Sequence, residues 1–529
     1  MKVPRSRSAV NAGRDAEAER SEATVDPPPT TGTGRTILQN SLVMLGSQAT
    51  TWILSACVVI VVPRLLGPDA IGRYTVAVAV WAVASVFIAA GSTMTVTLET
   101  ARDSTSVGAT IATALRLRAV TVPISWIVVI SFFAALGYPF EVAALAVVVG
   151  VVTTLNAATD VGASALVGLE RIPVVARAEV ASRFAYAVAV IGVVLLTRNL
   201  YAAAAMGATT PIVRGVILVR SLKGAMSGRH RASWTDVRAM ARRSTPYLVA
   251  GIALTVYGQV DTVTISILAE ERQVGWYAAA TAVFATLMFA PSILMTSLLP
   301  ALTKAHARSE EEATTLLGRA FDTLVLIAVP IGVATTICAP SGMRLLLGPE
   351  FAPAGDVLAV LGVVLLFTYF AILLGAYAYA TGRQHFWNGV IGAAILLSVP
   401  LDLVLVPWTQ RRYGNGAIGG ALAYVVTEML MVIAGIVCLA PQLLSIQRCT
   451  RVLLCTFGGG VMVLVGWPLR SQFVVVPGLA SLAAYAVVIL VLRVPNEAEW
   501  NGVRSLVANA RSRLRPGRNS RTIDPGQPA

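Results

Sequence analysis

Two matching stretches decide how this chain is organised: Ile71-Gly-Arg-Tyr-Thr-Val-Ala-Val-Ala-Val80 and Val274-Gly-Trp-Tyr-Ala-Ala-Ala-Thr-Ala-Val283. Their Gly and Tyr residues coincide 203 positions apart, and each stretch opens a long apolar segment. The match is short, but its recurrence at the same place in two stretches of like topology indicates an internal duplication. We therefore expect two related halves that both begin on the same side of a membrane.

The chain as a whole is also strongly apolar. Of the 529 residues, 56% are hydrophobic and 13% are charged, and the mean hydropathy is +0.73. A water-soluble protein of this size needs far more charge to cover its surface. Apolar segments of about 20 residues recur, which is the length a helix needs to cross the hydrocarbon core. The composition therefore predicts an all-α polytopic membrane protein.

We predict fourteen transmembrane spans between polar tails. Residues 1–35 are predicted as a disordered tail, residues 221–243 as a basic linker, and residues 495–529 as a basic tail whose stretch 496–514 favours a short surface helix. The fourteen spans are predicted at residues 38–62, 71–98, 112–136, 141–168, 174–196, 200–219, 244–268, 275–302, 317–338, 355–380, 386–406, 415–439, 451–468 and 472–492.

The duplication divides these spans into two pseudo-symmetric lobes of six helices around a central cavity. The first lobe is expected at residues 36–220 and the second at residues 244–440, related by an axis along the membrane normal. Residues 441–494 then add two C-terminal transmembrane helices.

The basic residues predict the orientation. Loops on the cytoplasmic side hold an excess of Lys and Arg. If the N-terminus is inside, 32 of the 41 basic residues lie in or beside inside loops and 8 lie in outside loops. This bias predicts a multi-pass protein of the plasma (inner) membrane with both termini in the cytoplasm.

One junction between spans has a clear local structure. In Arg64-Leu-Leu-Gly-Pro-Asp-Ala-Ile-Gly-Arg-Tyr74, Gly67 can end one helix and Pro68 can begin the next. Gly72 permits a close approach of another helix, and Tyr74 is expected at the depth of the membrane interface.

This junction resembles the R-x-L-G-P-x-x-x-G-x-Y signature of bacterial polysaccharide flippases of the O-antigen type. These proteins belong to the multidrug/oligosaccharidyl-lipid/polysaccharide exporter superfamily. Across residues 36–440, further stretches resemble other motifs of that family in the same order. They are Asn40-Ser41, Leu346-Leu-Gly-Pro-Glu-Phe351, Thr381-Gly-Arg383 and Gly414-Asn-Gly-Ala-Ile-Gly-Gly-Ala421, with Asp402 standing where an Asn is common.

The resemblance implies a transporter that flips polyprenyl-(pyro)phosphate-linked sugar or oligosaccharide across the membrane by alternating access, for cell-surface polysaccharide synthesis. It implies a lipid-linked glycan as substrate, membrane lipids as partners, and glycan polymerases or glycosyltransferases as neighbours. No cofactor is expected beyond a coupling ion, H⁺ or Na⁺. Three alternatives stay open: a multidrug-type cation-coupled exporter, a peptidoglycan-precursor flippase, and a non-transporting scaffold of a glycan-assembly complex.

Enzymes and nucleic-acid-binding proteins fit the sequence poorly. Thr31-Gly-Thr-Gly34 lacks the Gly-Lys-Ser/Thr that completes a phosphate-binding loop. The outside gaps reach only about 15 residues, which leaves no room for a catalytic domain. The net charge of +14 is explained by topology and by anionic lipid headgroups.

Ionisable residues within spans are the main candidates for a functional site, because they usually face a bundle interior or a water-filled cavity. Arginines would pair with phosphate, and carboxylates would accept sugar hydroxyls or bind a coupling cation. Each candidate is also readable as part of a structural ion pair, and Glu99 and Arg102 are spaced to pair with each other. The candidates for substrate binding or coupling are Asp261, Arg214, Asp160, Glu428, Arg64, Arg102, Gln48 and Gln259, and no metal ligands are predicted.

Overall fold

The computed structural model describes residues 30–224, 232–470 and 472–495, and within these ranges the secondary structure is helical, without a strand. Eleven helices of the described residues are long and apolar enough to cross a membrane. One of these, Leu54–Arg102, contains the end of span 1 and the whole of span 2. Span 8 is divided into two helices and span 14 is short, so neither is among the eleven. When these two are added, and Leu54–Arg102 is counted as two spans, the described residues contain the fourteen spans that the sequence predicts.

The spans run in chain order, and the numbers below follow that order. Spans 1 and 2 are 30–66 and 68–102, since the helix Thr30–Ala89 is interrupted at Gly67 and Ser92–Arg102 continues span 2. The others are Val107–Ala135, Phe140–Gly168, Ile172–Thr197, Leu200–Leu222, Trp234–Leu268, Glu271–Leu287 with Phe289–Arg308, Glu310–Leu347, Ala352–Ala380, Gln384–Tyr413, Ala417–Leu439, Ile446–Gly466 and Val475–Val491.

The junction between spans 1 and 2 follows from two residues. Gly67 has φ 81° and ψ 168°, a conformation that residues with a Cβ rarely adopt. Pro68 has no N–H to continue the first helix, but its fixed φ suits the start of the next. We call the end of the bundle that holds Gly67 the outer end, and the end that holds Asp103 the inner end.

Several predicted boundaries were wrong, because the helices extend beyond their apolar parts; span 9, predicted at 317–338, runs from Glu310 to Leu347. Span 1 begins at Thr30, inside the stretch predicted as a tail. Span 7 begins at Trp234 rather than at residue 244, because Ser233 and Asp236 form a capping box that starts the helix within the basic linker. The predicted surface helix at 496–514 lies outside the described residues.

Spans 2 and 8 are both broken near their middle. Span 2 breaks at Ala90 and Gly91, which have positive φ, and span 8 breaks at Met288. A Cβ on Gly91 would overlap the backbone of Ser244 and Leu248, so the break packs tightly against span 7. Both related spans are therefore interrupted, at positions that do not coincide at the repeat offset of 203 residues.

The two halves meet mainly through spans 1 and 2 on one side and spans 7 and 8 on the other. At the outer end, repeat-related glycines touch the opposite span: a Cβ on Gly72 would overlap the Glu271 carbonyl, and one on Gly275 would overlap the Pro68 carbonyl. Spans 13 and 14 pack on each other and on span 9, away from this junction.

Candidate functional site

A cavity of about 590 Å³ lies between the halves, from mid-depth toward the inner end. Span 2 forms one wall on both sides of its break, span 4 forms a second wall, and Tyr247 and Gly251 of span 7 close the third side. Its size falls within the range of small-molecule sites. Its polar lining residues are Ser85, Thr93, Thr97, Thr153, Asn156, Asp160 and Tyr247.

Asp160 and Arg214, two residues singled out from the sequence, meet at this cavity. Asp160 lines it from span 4, and Arg214 of span 6 forms an ion pair with the Asp160 carboxylate. The Arg214 Nη2 also donates to Thr159 Oγ1 at 2.7 Å, and Glu179 of span 5 lies 3.7 Å from Nη1. The two residues therefore form an ion pair, and Asp160 of this pair lines the cavity.

Arg118 of span 3 lies beside the same wall and was not among the predicted candidates. It is 3% exposed, and its Nη2 donates to Thr93 Oγ1 over 3.4 Å. Among the described residues, its Nε and Nη1 have no hydrogen-bond acceptor. Asp160 and Arg214 are its charged neighbours. Its position inside span 3 was visible in the sequence, but its burial was not.

A second polar cluster lies within the second half, and Asp261 of span 7 is at its centre. Ser398 Oγ donates to Asp261 Oδ1 at 2.6 Å, and the Tyr277 hydroxyl donates to Oδ2 at 3.3 Å. Asp402, four residues after Ser398 on span 11, is fully buried and is a close electrostatic neighbour of Asp261. Spans 7, 8 and 11 thus place oxygen atoms around one point.

Two adjacent buried carboxylates cannot both keep an uncompensated charge. In the described part of the chain, no Lys or Arg forms an ion pair with Asp261 or Asp402, and no N–H or hydroxyl donates to the Asp402 oxygens. A shared proton or a bound cation with oxygen ligands would compensate them. Asp402 was visible as a departure from the family motif, and the structure places it beside Asp261.

Glu428 extends the acidic cluster along span 12. It is 2% exposed, and Tyr257 of span 7 donates to its Oε1 at 2.9 Å. Tyr424 packs edge-on against the Tyr257 ring, with 6.2 Å between the centroids. The interior of the second half is therefore acidic and rich in tyrosine hydroxyls, whereas in the first half two arginines bond to residues of the cavity lining.

The other predicted candidates lie elsewhere. Arg64 is exposed at the outer end and donates to the Leu345 carbonyl at 3.4 Å. Arg102 is exposed at the inner end of span 2. Gln259 borders an apolar groove between spans 2, 3 and 7, away from Asp261. The side chain of Gln48 lies outside the part of the chain whose side chains are described.

The expected local pair of Glu99 and Arg102 does not form. Glu99 instead accepts a hydrogen bond from Arg243 Nη1 at 2.7 Å. Arg243 belongs to the part of span 7 that the sequence placed in the linker, so the unexpected helical extension supplies the partner.

Charged residues close the outer end above the glycine crossing. Arg73 of span 2 forms an ion pair with Glu141 of span 4, and its Nε donates to Glu271 of span 8 at 2.5 Å. The Trp276 indole donates to the Glu350 carbonyl at 3.0 Å. Contacts around Arg73 therefore close the outer end, and the one to Glu271 joins the two halves.

Solved structures with a similar fold are those of membrane transporters. The lipid II flippase MurJ in an inward closed conformation is 12% identical, with a TM-score of 0.67 over 86% of this chain and 98% of that one. An inward-facing multidrug resistance transporter of the MATE family in the MOP superfamily is 16% identical, with a TM-score of 0.59 over 77% and 95%. A MOP superfamily transporter from Pyrococcus furiosus is 17% identical, with a TM-score of 0.53 over 80% and 96%.

Among curated protein sequences, none matches the chain. A family model described as polysaccharide biosynthesis protein matches residues 37–306, which is more than half of the sequence. This match confirms the resemblance that the junction of spans 1 and 2 first indicated, and the shared fold agrees with it. The chain therefore belongs to the polysaccharide biosynthesis protein family and has the fold of the MOP superfamily transporters.

Proposed function

We propose that this protein is a flippase for polyprenyl-(pyro)phosphate-linked sugar or oligosaccharide. The observation that supports this most directly is the cavity of about 590 Å³ that spans 2 and 4 form with span 7, because Arg118 and Arg214 bond to the lining residues Thr93 and Asp160. A sugar head would enter the cavity from the inner end, while the lipid tail stays in the bilayer. Opening of the contacts around Arg73 and closure of the inner end would then release the head outside.

The proposal includes six-helix lobes at residues 36–220 and 244–440 that rock against each other. The breaks in spans 2 and 8 and the glycine crossing between them support this division. The charge bias supports a plasma-membrane protein with both termini in the cytoplasm, where glycosyltransferases assemble lipid-linked sugars. Glycan polymerases are the proposed partners on the other side.

We assign ion coupling to Asp261 and Asp402. A proton or Na⁺ held between these carboxyl groups would favour one packing of spans 7 and 11, and its release would favour another. Because Ser398 and Tyr277 already donate to Asp261, the cluster is prepared for an ionised carboxylate.

The test is transport by the full chain in proteoliposomes. A fluorescent polyprenyl diphosphate sugar in the inner leaflet should become accessible to an external quencher in the presence of the protein, and an imposed Na⁺ or proton gradient should change the rate. The Asp261→Asn variant should lose the gradient effect, whereas Asp69→Asn, at an exposed outer position, should keep it.

Other outcomes identify the alternatives. Transport of a cationic dye without transport of the lipid-linked sugar would indicate a multidrug exporter. Preference for a peptidoglycan precursor over other lipid-linked glycans would indicate a peptidoglycan-precursor flippase. Reconstituted protein that moves none of these molecules would contradict the flippase and leave the scaffold.

A further inference from the structure

The two arginines that bond to residues of the cavity lining differ in what surrounds them. Arg214 has Asp160 and Glu179 as carboxylate neighbours, and Thr159 accepts two of its N–H groups, at 2.7 and 3.2 Å. Its charge is therefore opposed on two sides by spans 4 and 5. An anion that enters the cavity would have to displace these partners to bind Arg214.

Arg118 has no carboxylate at hydrogen-bonding distance. Its hydrogen bond to Thr93 is long, and two of its nitrogen donors have no acceptor in the described residues. A buried guanidinium with unsatisfied donors is costly, so structure alone gives little reason to place one here. Arg118 thus has both the charge and the free donors that an anionic ligand requires.

The position of Arg118 brings it close to the cavity. It lies eleven residues into span 3, about 16 Å along the helix from Val107. Thr93, which accepts its hydrogen bond, lines the cavity, and so does its neighbour Asp160. Arg118 itself does not line the cavity, so its guanidinium must turn past Thr93 to reach a ligand there.

We propose that Arg118 is the residue that receives the diphosphate group of the lipid-linked substrate, and that it makes the cavity selective for an anionic head. This inference rests on the proposed function. A guanidinium donates two parallel hydrogen bonds to phosphate oxygens, which an ammonium group does not reproduce. Arg214 serves as a neighbouring positive charge that is balanced by its own carboxylates.

The experiment measures binding to the purified full chain in detergent. The ligands are geranylgeranyl diphosphate and geranylgeraniol, which differ only in the anionic group. Binding is measured by the change in total tryptophan fluorescence, to which Trp81 of the cavity lining contributes. The unaltered protein should bind the diphosphate about 10-fold or more tightly than the alcohol, because a hydrogen bond between charged groups at a buried site contributes that much affinity. Arg118→Gln and Arg118→Met should remove this preference.

Arg116→Gln is the matched control on the same helix. Arg116 is exposed, stacks on Trp234 at 4.6 Å and faces away from the cavity. Its substitution should leave the diphosphate preference within about 2-fold of the unaltered protein. Arg118→Lys keeps the charge without the paired donors, so it should retain only part of the preference; this variant also serves if the neutral ones fail to fold.

The remaining outcomes separate the inference from the proposed function. If the unaltered protein has no preference for the diphosphate, the proposed substrate class fails. If Arg118→Gln keeps the full preference for the diphosphate, the role of Arg118 is refuted, even when the melting temperature of this variant falls. The proposed flippase function is unaffected by that result. Competition by inorganic pyrophosphate supports a diphosphate site, whereas equal competition by phosphatidylglycerol would show a general lipid-headgroup site and overturn the inference.

Discussion

At the scale of single residues, the second half of the protein holds its acids without basic partners. Asp261 receives hydrogen bonds from Ser398 and Tyr277, and Asp402 is its close electrostatic neighbour. A structural ion pair, one of the two readings of Asp261 from the sequence, is not what the described residues form. Two neighbouring carboxyl groups are better suited to bind and release a cation or proton than to stabilise the fold.

We predict that Asp261→Asn preserves folding and reduces transport. The amide still accepts the hydrogen bond from Ser398, and removal of one of two adjacent charges should not lower stability; a gain on the order of 1 kcal/mol is expected. Asp402→Asn should have the same effects. The double variant should reduce transport little further than either single variant, because both residues act on one site. The measurements are membrane level, melting temperature in detergent and export of the glycan in a deletion strain.

A loss of protein level with either single variant, before any loss of export, would show a structural role for the pair. Normal level with normal export would leave Asp261 a tolerated polar residue.

At the scale of elements, the crossing of spans 2 and 8 depends on two glycines. We predict that Gly275→Ala destabilises the protein by about 1–3 kcal/mol, because the added methyl overlaps the rigid Pro68 carbonyl. Gly192→Ala in span 5 is the matched control, since a Cβ there meets no atom within 4 Å. The control should be neutral or gain up to about 1 kcal/mol of helix propensity. Thermal unfolding in detergent compares the two, and equal melting temperatures would refute the tight crossing.

The ion pairs of Arg73 are the second element of the outer closure. We predict that Arg73→Gln accelerates hydrogen–deuterium exchange in residues 67–75, since it removes both links to Glu141 and Glu271. Partly exposed pairs contribute about 0.2–1 kcal/mol each, so the loss of two pairs should raise the open fraction roughly 2- to 30-fold. Arg64→Gln, whose side chain donates only to a carbonyl, should change little.

A reversed pair tests the same closure by repair. The double variant Arg73→Glu with Glu271→Arg should exchange more slowly than Arg73→Glu alone, because one bridge between the halves is rebuilt. Identical exchange in the two variants would show that the bridge to Glu271 does not hold the outer end closed.

At the scale of the whole molecule, the predicted orientation places the closed end outside and the cavity toward the cytoplasmic side, as in an inward-facing form. We predict that reporter fusions at Ala269 and Ala352 report the outside, and that fusions at Gly228 and Ala529 report the cytoplasm. The physical reason is the 32-to-8 division of basic residues between the two sides. A cytoplasmic signal at Ala269 would contradict both the span count of the first half and the assignment of the cavity to the inner side.

The sequence alone was sufficient for the number of spans, the predicted orientation and the family. Apolar length, loop charge and the Gly-x-Tyr repeat are local properties, and the insertion of a helix into a membrane depends on them directly. The sequence also indicated the Arg214 and Asp160 region, since charges within spans usually face a cavity.

Only the tertiary structure decided which charged residues meet. Glu99 pairs with Arg243 and not with Arg102, and Asp261 lies beside Asp402, about 140 positions away along the chain. The same holds for the unsatisfied donors of Arg118, because its surroundings come from spans 2, 4 and 6. Helix packing brings these residues together, and no local pattern in a single sequence records which faces of distant helices come into contact.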